Sequence, residues 1–232
     1  MSNLLLTPAT VGILKNLASI NQTLLFPKGS TLVTRSVKKH TFAEVEVAEK
    51  FPKRFTIYDL NQFLAVVTQF DKPTLNFGEA EEYVKVSDET GGLAVKYHYA
   101  DETLAYVPDP KKKFALPSTE VELKLTEAQF KAISNMARTL GTPELALTSD
   151  GETLNLVTLD SKNSSTNTTS LAIGEAPGKV NFNLVWKIEY LKLIDGTYNV
   201  AVSKAGISRF THESMPLTYH ILLEAASSNY GD

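Results

Sequence analysis

The side chains best suited to chemistry in this sequence are bases on the polar faces of predicted helices. Lys131 and Arg138 share one such face with Asn135, and after Glu127 this helix contains no acid. Lys15 lies on a similar face near the N-terminus. Lysine and arginine side chains on one surface can contact nucleic-acid phosphates without reading base sequence. Taken alone, the pattern more often marks a solvated helix face.

Residue patterns typical of enzymes are weak by comparison. The four histidines lie far apart without metal-ligand spacing, and the sequence contains no cysteine, which excludes thiol chemistry and disulfides. Lys28-Gly29-Ser30-Thr31 has the wrong order for a phosphate-binding loop. We therefore predict no catalytic residue, no metal site and no cofactor. The histidines are His40, His98, His212 and His220.

Composition indicates a globular protein of 232 residues with a net charge of −3. That charge argues against a protein that grips nucleic acid with its whole surface. The N-terminus lacks the basic and apolar regions of a signal peptide, and no apolar run is long enough to span a membrane. We expect a cytoplasmic protein without membrane contact.

Two helices with similar ends position the bases. Thr126 and Gln129 form a capping-box pattern, and Gly141 marks the C-terminal stop. Thr7 is a second N-cap, with Pro8 at the first helical position. The predicted apolar arc of the later helix comprises Phe130, Ala132, Ile133, Met136, Ala137 and Leu140.

A second pair of helix starts recurs at nearly the same offset, about 120 residues along the chain. Tyr58-Asp59-Leu60 begins one predicted helix, and Phe182-Asn183-Leu184 begins the other, which would run to Ile194 and carry Lys192. We interpret the chain as a tandem duplication of the α+β class, with helices on one face of antiparallel sheets.

Strands and a linker complete the predicted organisation. Prolines and a lysine run indicate a semi-stiff linker over 109–117, between domains 1–108 and 118–232. Ser161–Ser170 is predicted to be a loop. The predicted strands are Thr23–Val37, Thr41–Val47, Phe55–Tyr58, Thr74–Phe77, Tyr83–Ser87, Leu93–Tyr99, Glu120–Leu125, Leu145–Ser149, Glu152–Thr158, Thr197–Ser203, Gly206–Thr211 and Leu217–Ala225.

Several segments resemble the DNA polymerase sliding clamp of T-even-type phages. They are Leu14–Asn21, Thr34–Val37, Ile57–Leu64 and Leu222–Ala225, and their order and spacing agree over essentially the whole chain. The resemblance implies a homotrimeric ring of two-domain subunits around duplex DNA, with helices lining the hole and sheets outside. It also implies two partners, a DNA polymerase and an ATP-driven clamp loader. Pro8 and Asn135 stand where some family members carry a base.

The dimensions of such a ring are physically reasonable. A half-chain domain approximates a sphere roughly 35 Å across, and six such spheres enclose a hole about as wide. Four spheres enclose only about 14 Å, whereas a duplex is roughly 20 Å across. Three copies therefore fit around DNA and two do not, and their contact would be head to tail.

The distribution of charge along the sequence predicts an acidic outer surface of the ring and a basic surface that faces DNA. Acids concentrate in Glu44–Glu49 and Glu79–Glu89, which we expect on the outside. The residues predicted to face DNA are Lys15, Asn16, Lys131, Asn135, Arg138 and Lys192.

The alternative to a sliding clamp is a ring-forming phage structural or scaffold protein that binds no DNA.

A partner-binding site is predicted near the linker. Phe114 and Leu116 are apolar residues within a polar segment, and such groups can form one wall of a pocket for a client peptide. Ala225 would contribute the opposite wall, by analogy with other ring clamps. Alternatively, Phe114 and Leu116 simply pin the linker to the sheets.

Overall fold

The chain divides into two compact units, Met1–Lys113 and Phe114–Asp232, and the division falls within the stretch expected to be a linker. The computed structural model describes residues 2–78, 80–88, 92–109 and 114–231. The lysine run 111–113, and part of the predicted acidic segment and turn at 79–92, lie outside the described residues.

The first unit combines two helices with antiparallel strands. One four-stranded sheet has the order β1-β6-β7-β8, and β3 pairs with β4 and β2 with β5. Its elements are β1 (Ser2–Leu5), α1 (Pro8–Ile20), β2 (Leu24–Phe26), β3 (Gly29–Arg35), β4 (Thr41–Phe51), β5 (Phe55–Ile57), α2 (Leu60–Val67), β6 (Thr74–Phe77), β7 (Tyr83–Ser87) and β8 (Ala94–His98).

The second unit repeats this order with one helix fewer among its described residues. One sheet has the order β12-β11-β10-β13-β17, and β16, β15, β14 and β9 follow one another in antiparallel pairs. Its elements are β9 (Val121–Leu125), α3 (Glu127–Leu140), β10 (Glu144–Asp150), β11 (Thr153–Leu159), β12 (Thr169–Glu175), β13 (Asn181–Lys187), β14 (Tyr198–Ser203), β15 (Ile207–His212), β16 (Leu217–Leu222) and β17 (Asn229–Tyr230).

Apolar side chains between sheets and helices form the core of each unit. In the first unit, α1 packs on α2, and the rings of Phe26 and Phe55 stack with centroids 4.6 Å apart. In the second unit, Trp186 packs edge-on against Phe210, and its indole Nε1 donates to Ser208 Oγ at 2.8 Å. The buried indole N–H therefore has a hydrogen-bond partner, as buried polar groups in stable proteins generally do.

The α+β class and the antiparallel sheets are confirmed, but the fourth predicted helix is wrong. Asn183 lies in β13, which pairs with β10 along its whole length. A single 3-10 turn, Ile188–Tyr190, follows β13 at the place that α2 occupies in the first unit. The stretch alternates polar and apolar residues, and burying Phe182, Leu184 and Trp186 on one face favours a strand over the capping signal.

Two further predictions, one of a strand and one of a loop, also need correction. The stretch Thr23–Val37 forms two strands, because Pro27 cannot donate a ladder hydrogen bond and Gly29 adopts a left-handed φ of 124°. The predicted loop Ser161–Ser170 ends early, since β12 begins at Thr169 and pairs with β11.

Candidate nucleic-acid interface

Helix α1 presents an exposed face without acids. The Thr7 side chain caps it by accepting from the Thr10 N–H at 3.2 Å, and Pro8 opens the first turn as predicted. Lys15 is exposed on this face, and Asn16 beside it is half-buried. The backbone carbonyl of Asn16 accepts from Ser19 Oγ at 2.7 Å. Lys15 is therefore an exposed cation on a helix that contains no acid.

A buried carboxylate fixes the start of α1. Glu49 on β4 is only 6% exposed, and its Oε1 accepts from the Thr7 N–H at 2.7 Å. Its Oε2 accepts from the Thr10 hydroxyl. An anion at a helix N-terminus is favourable because the dipole and the unpaired N–H groups face it. The expectation that Glu49 belongs to an acidic outer surface is therefore wrong.

The position of Glu49 has a sequence signal that the prediction missed. β4 alternates exposed and buried residues, and Glu49 has the same parity as buried Val45, Val47 and Phe51. A residue of that parity points into the core because strand side chains alternate between faces. The acidic residues of this segment led to the prediction of an outer surface. The two-residue alternation of the strand predicts instead that Glu49 points into the core.

Helix α3 is the counterpart of α1 in the second unit. Its capping box is complete, because Thr126 accepts from the Gln129 N–H at 3.3 Å and the Gln129 side chain accepts from the Thr126 N–H at 2.9 Å. Gly141 ends it in the left-handed conformation at φ 69°. Both end predictions are confirmed. The buried arc is narrower than predicted, since Ala132 and Met136 are exposed.

The bases of α3 are not equivalent. Lys131 Nζ lies 2.6 Å from Glu127 Oε1, one turn earlier, and 2.8 Å from Asp195 Oδ2. Hydrogen bonds to Asp195 and then Glu127 raise the pKa of Lys131 above its ordinary value, so the ammonium is protonated. Arg138 instead donates from Nη1 to Asn135 Oδ1 at 3.1 Å, a neutral partner. The charge of Lys131 is offset by two carboxylates.

A cleft of about 620 Å³ opens beside α3 in the second unit. Lys131, Asn135 and Arg138 line one wall. Four residues of the segment after β13 line the other, namely Ile188, Leu191, Leu193 and Asp195. The structure thus brings together three of the predicted DNA-facing residues on α3. Apolar side chains, including Ile133, Leu145 and Leu191, form part of the lining.

Lys192 lies in a different environment from the predicted one. The predicted helical flank does not exist, and Lys192 is exposed in a segment without helix or strand that follows the 3-10 turn Ile188–Tyr190. Its backbone N–H donates to the Tyr190 carbonyl at 2.9 Å. Lys192 is not among the described residues that line the cleft, although its neighbours Leu191 and Leu193 are.

The predicted partner-binding residues occupy separate positions within the second unit. Phe114 is 45% exposed and tilts over the His220 ring with centroids 5.3 Å apart, and Leu116 is half-buried. Ala225 lines a cavity of about 190 Å³ together with Leu223 and Tyr230. Phe114 and Leu116 are not among the described residues that line this cavity.

Other site classes have little support in the described ranges. No group of three or more His, Cys, Asp or Glu side chains in the described part of the chain could hold a metal ion. None of the three described helices is long and apolar enough to cross a membrane.

Comparison with known proteins identifies the family. A model described as DNA polymerase processivity factor matches residues 7–94, and one described as gp45 sliding clamp, C terminal, matches residues 120–225. The sliding clamp of Vibrio phage KVP40 is 30% identical over 226 residues, covering 95% of this chain and 99% of that protein. The sliding clamp of Escherichia phage RB69 is 27% identical over 230 residues, covering 97% and 98%.

Solved structures share the fold at lower sequence identity. PCNA from Thermococcus kodakaraensis has a TM-score of 0.70 at 14% identity, covering 96% of this chain and 99% of that one. The A. fulgidus PCNA bound to the C-terminal region of FEN-1 has a TM-score of 0.69 at 12% identity, covering 97% and 98%. These findings confirm the resemblance and give no support to a structural or scaffold protein. The chain belongs to the sliding-clamp family of DNA polymerase processivity factors.

Proposed function

We propose that three copies of this chain close into a ring around duplex DNA and tether a DNA polymerase to its template. The observation that carries this proposal is the distribution of charge. The three helices contain Lys15, Lys131, Arg138 and a single acid, Glu127, and therefore carry a net charge of +2. The whole chain carries −3, so the remainder carries −5. Helices that line a hole would present the positive part of the protein to DNA.

Contact with DNA in this ring is independent of base sequence. Lys15 and Arg138 contact phosphates, Asn16 and Asn135 lie beside them as neutral neighbours, and Lys131 and Lys192 complete the DNA-facing set. Phosphate contacts give a salt-sensitive attraction that carries no sequence information. Because these bases are few, the attraction is weak, and the ring is retained by its topology while it moves along the duplex.

Head-to-tail strand pairing would close the ring. β8 is the last strand of its sheet in the first unit and β12 the last of its sheet in the second, as far as the described residues extend. An edge strand presents backbone N–H and C=O groups that a strand from another chain can pair with. Pairing of β8 from one copy with β12 from the next uses two different surfaces, which closes a ring under three-fold rotation.

Client proteins would dock on the second unit. The cavity lined by Ala225 can receive an apolar side chain from the terminal segment of a polymerase, and Phe114 and Leu116 provide further apolar contact along the linker. The A. fulgidus PCNA, which has the same fold, binds the C-terminal region of FEN-1, and this supports such a contact. A modest peptide affinity suffices, because tethering raises the effective concentration of the polymerase at the template. An ATP-driven loader opens the ring in the host cytoplasm.

Native mass spectrometry tests the assembly on which this function depends. At micromolar protein we expect one dominant species at three times the 25.5 kDa mass of the chain. Dissociation on high dilution would be compatible with a ring that must open. A stable dimer or monomer at micromolar concentration would refute the proposal, because two copies leave too small a hole for a duplex.

A further inference from the structure

The ion pair of Lys131 with Asp195 bridges the two walls of the cleft beside α3. Lys131 projects from α3, whereas Asp195 belongs to the opposite segment, and their charged atoms are 2.8 Å apart. The two residues are distant in sequence, so the contact depends on the fold. Both side chains are about half-exposed or more, at 48% and 72%. An exposed pair adds little to stability, so its main effect is on the charge that α3 presents.

The fold holds Asp195 in this position through its neighbours. The Ile194 carbonyl accepts from the buried Tyr198 hydroxyl at 2.6 Å, and the Ile194 N–H donates to Tyr219 Oη at 3.3 Å. Gly196, which follows Asp195, has a left-handed φ of 150°, and a Cβ atom at this position would lie 2.1 Å from the His212 ring. The Asp195 carboxylate is therefore carried on an anchored segment rather than on a mobile loop.

We propose that Asp195, assisted by Glu127, sets the strength of DNA attraction at α3 by holding Lys131 in an internal ion pair. The inference rests on the proposed function, because it takes α3 to face DNA. A phosphate that approaches Lys131 must compete with a carboxylate on an anchored backbone segment, whereas within the described part of the chain Arg138 has only the neutral Asn135 to exchange. α3 therefore contributes one available base instead of two, which weakens phosphate contact and favours sliding.

Asp195→Asn tests the role of this residue directly. Binding of the assembled clamp to a short fluorescent duplex is measured by anisotropy across a salt series. The slope of log K against log salt steepens by about 0.9 for each added phosphate contact. We expect a steeper slope for Asp195→Asn and a further increase when Glu127→Gln is added. Lys131→Met alone should change the slope little. Added to Asp195→Asn, it should return the slope to the wild-type value.

Glu213→Gln is the matched control. Glu213 pairs with Lys124, neither residue is among those that line the cleft beside α3, and this variant changes the net charge by the same +1. It should leave the slope at the wild-type value. The proposal is overturned if Asp195→Asn and Glu213→Gln have equal slopes, or if the gain persists without Lys131. Failure of the wild type to bind duplex at low salt would instead refute the proposed function, so the two failures are distinguishable.

Discussion

Glu49→Ala should destabilise the first unit by releasing the N-terminus of α1. In the wild type, the buried Glu49 carboxylate accepts from the Thr7 N–H at 2.7 Å and from the Thr10 hydroxyl. α3 satisfies the equivalent N–H with its own Gln129, but α1 has Thr10 at that position, so β4 supplies the acceptor. Removing Glu49 leaves α1 without a local substitute.

The expected magnitude follows from two lost hydrogen bonds. Each buried donor that loses its partner costs about 1–3 kcal/mol, and water entering the space left by the side chain offsets part of this. We expect a loss of about 3 kcal/mol in the free energy of unfolding, in line with the cost of a lost partner at two donors. For a chain of this length, that loss lowers Tm by about 6–12 °C.

Glu44→Ala is the control, because Glu44 is exposed on the opposite face of the same strand. Its effect should stay within about 0.5 kcal/mol. Thermal unfolding at one protein concentration compares the variants, and hydrogen exchange locates the effect. Amides in the first turns of α1 should exchange faster in Glu49→Ala, with those of α3 unchanged. Equal stability of the two variants, or unchanged exchange in α1, would refute the anchoring role of Glu49.

Three further outcomes are expected from changes elsewhere. Lys15→Glu with Arg138→Glu should abolish low-salt binding to a short open duplex while the trimer mass is unchanged, and normal binding would exclude these bases from the DNA face. Ala225→Trp should fill the cavity and weaken calorimetric binding of a polymerase C-terminal peptide, and unaltered affinity would place the client elsewhere. Burial first, and the charge of Arg209 second, lower the pKa of His220 to about 4 from its ordinary 6.5. Since the unfolded chain then binds the proton more tightly, stability should fall as pH drops from 6.5 to 4, and less so in His220→Leu. Identical pH profiles of unfolding would contradict this assignment.

The sequence predicted the parts of the fold that local chemistry decides. The caps at Thr7, Asp59 and Thr126 and the stop at Gly141 were all predicted correctly, because each depends on residues within one turn. The two predicted strands on either side of Asp150-Gly151 pair as a hairpin, because Asp-Gly favours a tight turn between strands.

Features decided by distant residues were not predictable in this way. Asn183 resembles a helix cap locally, but pairing with β10 along the whole of β13 outweighs that preference. The contact of Asp195 with Lys131 depends on how the segment after Ile188–Tyr190 lies against α3, which no periodicity shows. Glu49 was the exception. Buried and exposed residues alternate along β4, and this alternation predicts that Glu49 is buried although its side chain is charged.

Retention on end-blocked DNA tests most directly the claim that this protein encircles a duplex. The trimer is allowed to thread onto linear DNA, both ends are then closed with bulky protein blocks, and the complex is washed at high salt. Phosphate contacts alone would not survive this wash, whereas a topological link would. We predict retention on blocked DNA and release once the duplex is cut between the blocks. Equal loss from blocked and open DNA by an intact trimer would contradict the account.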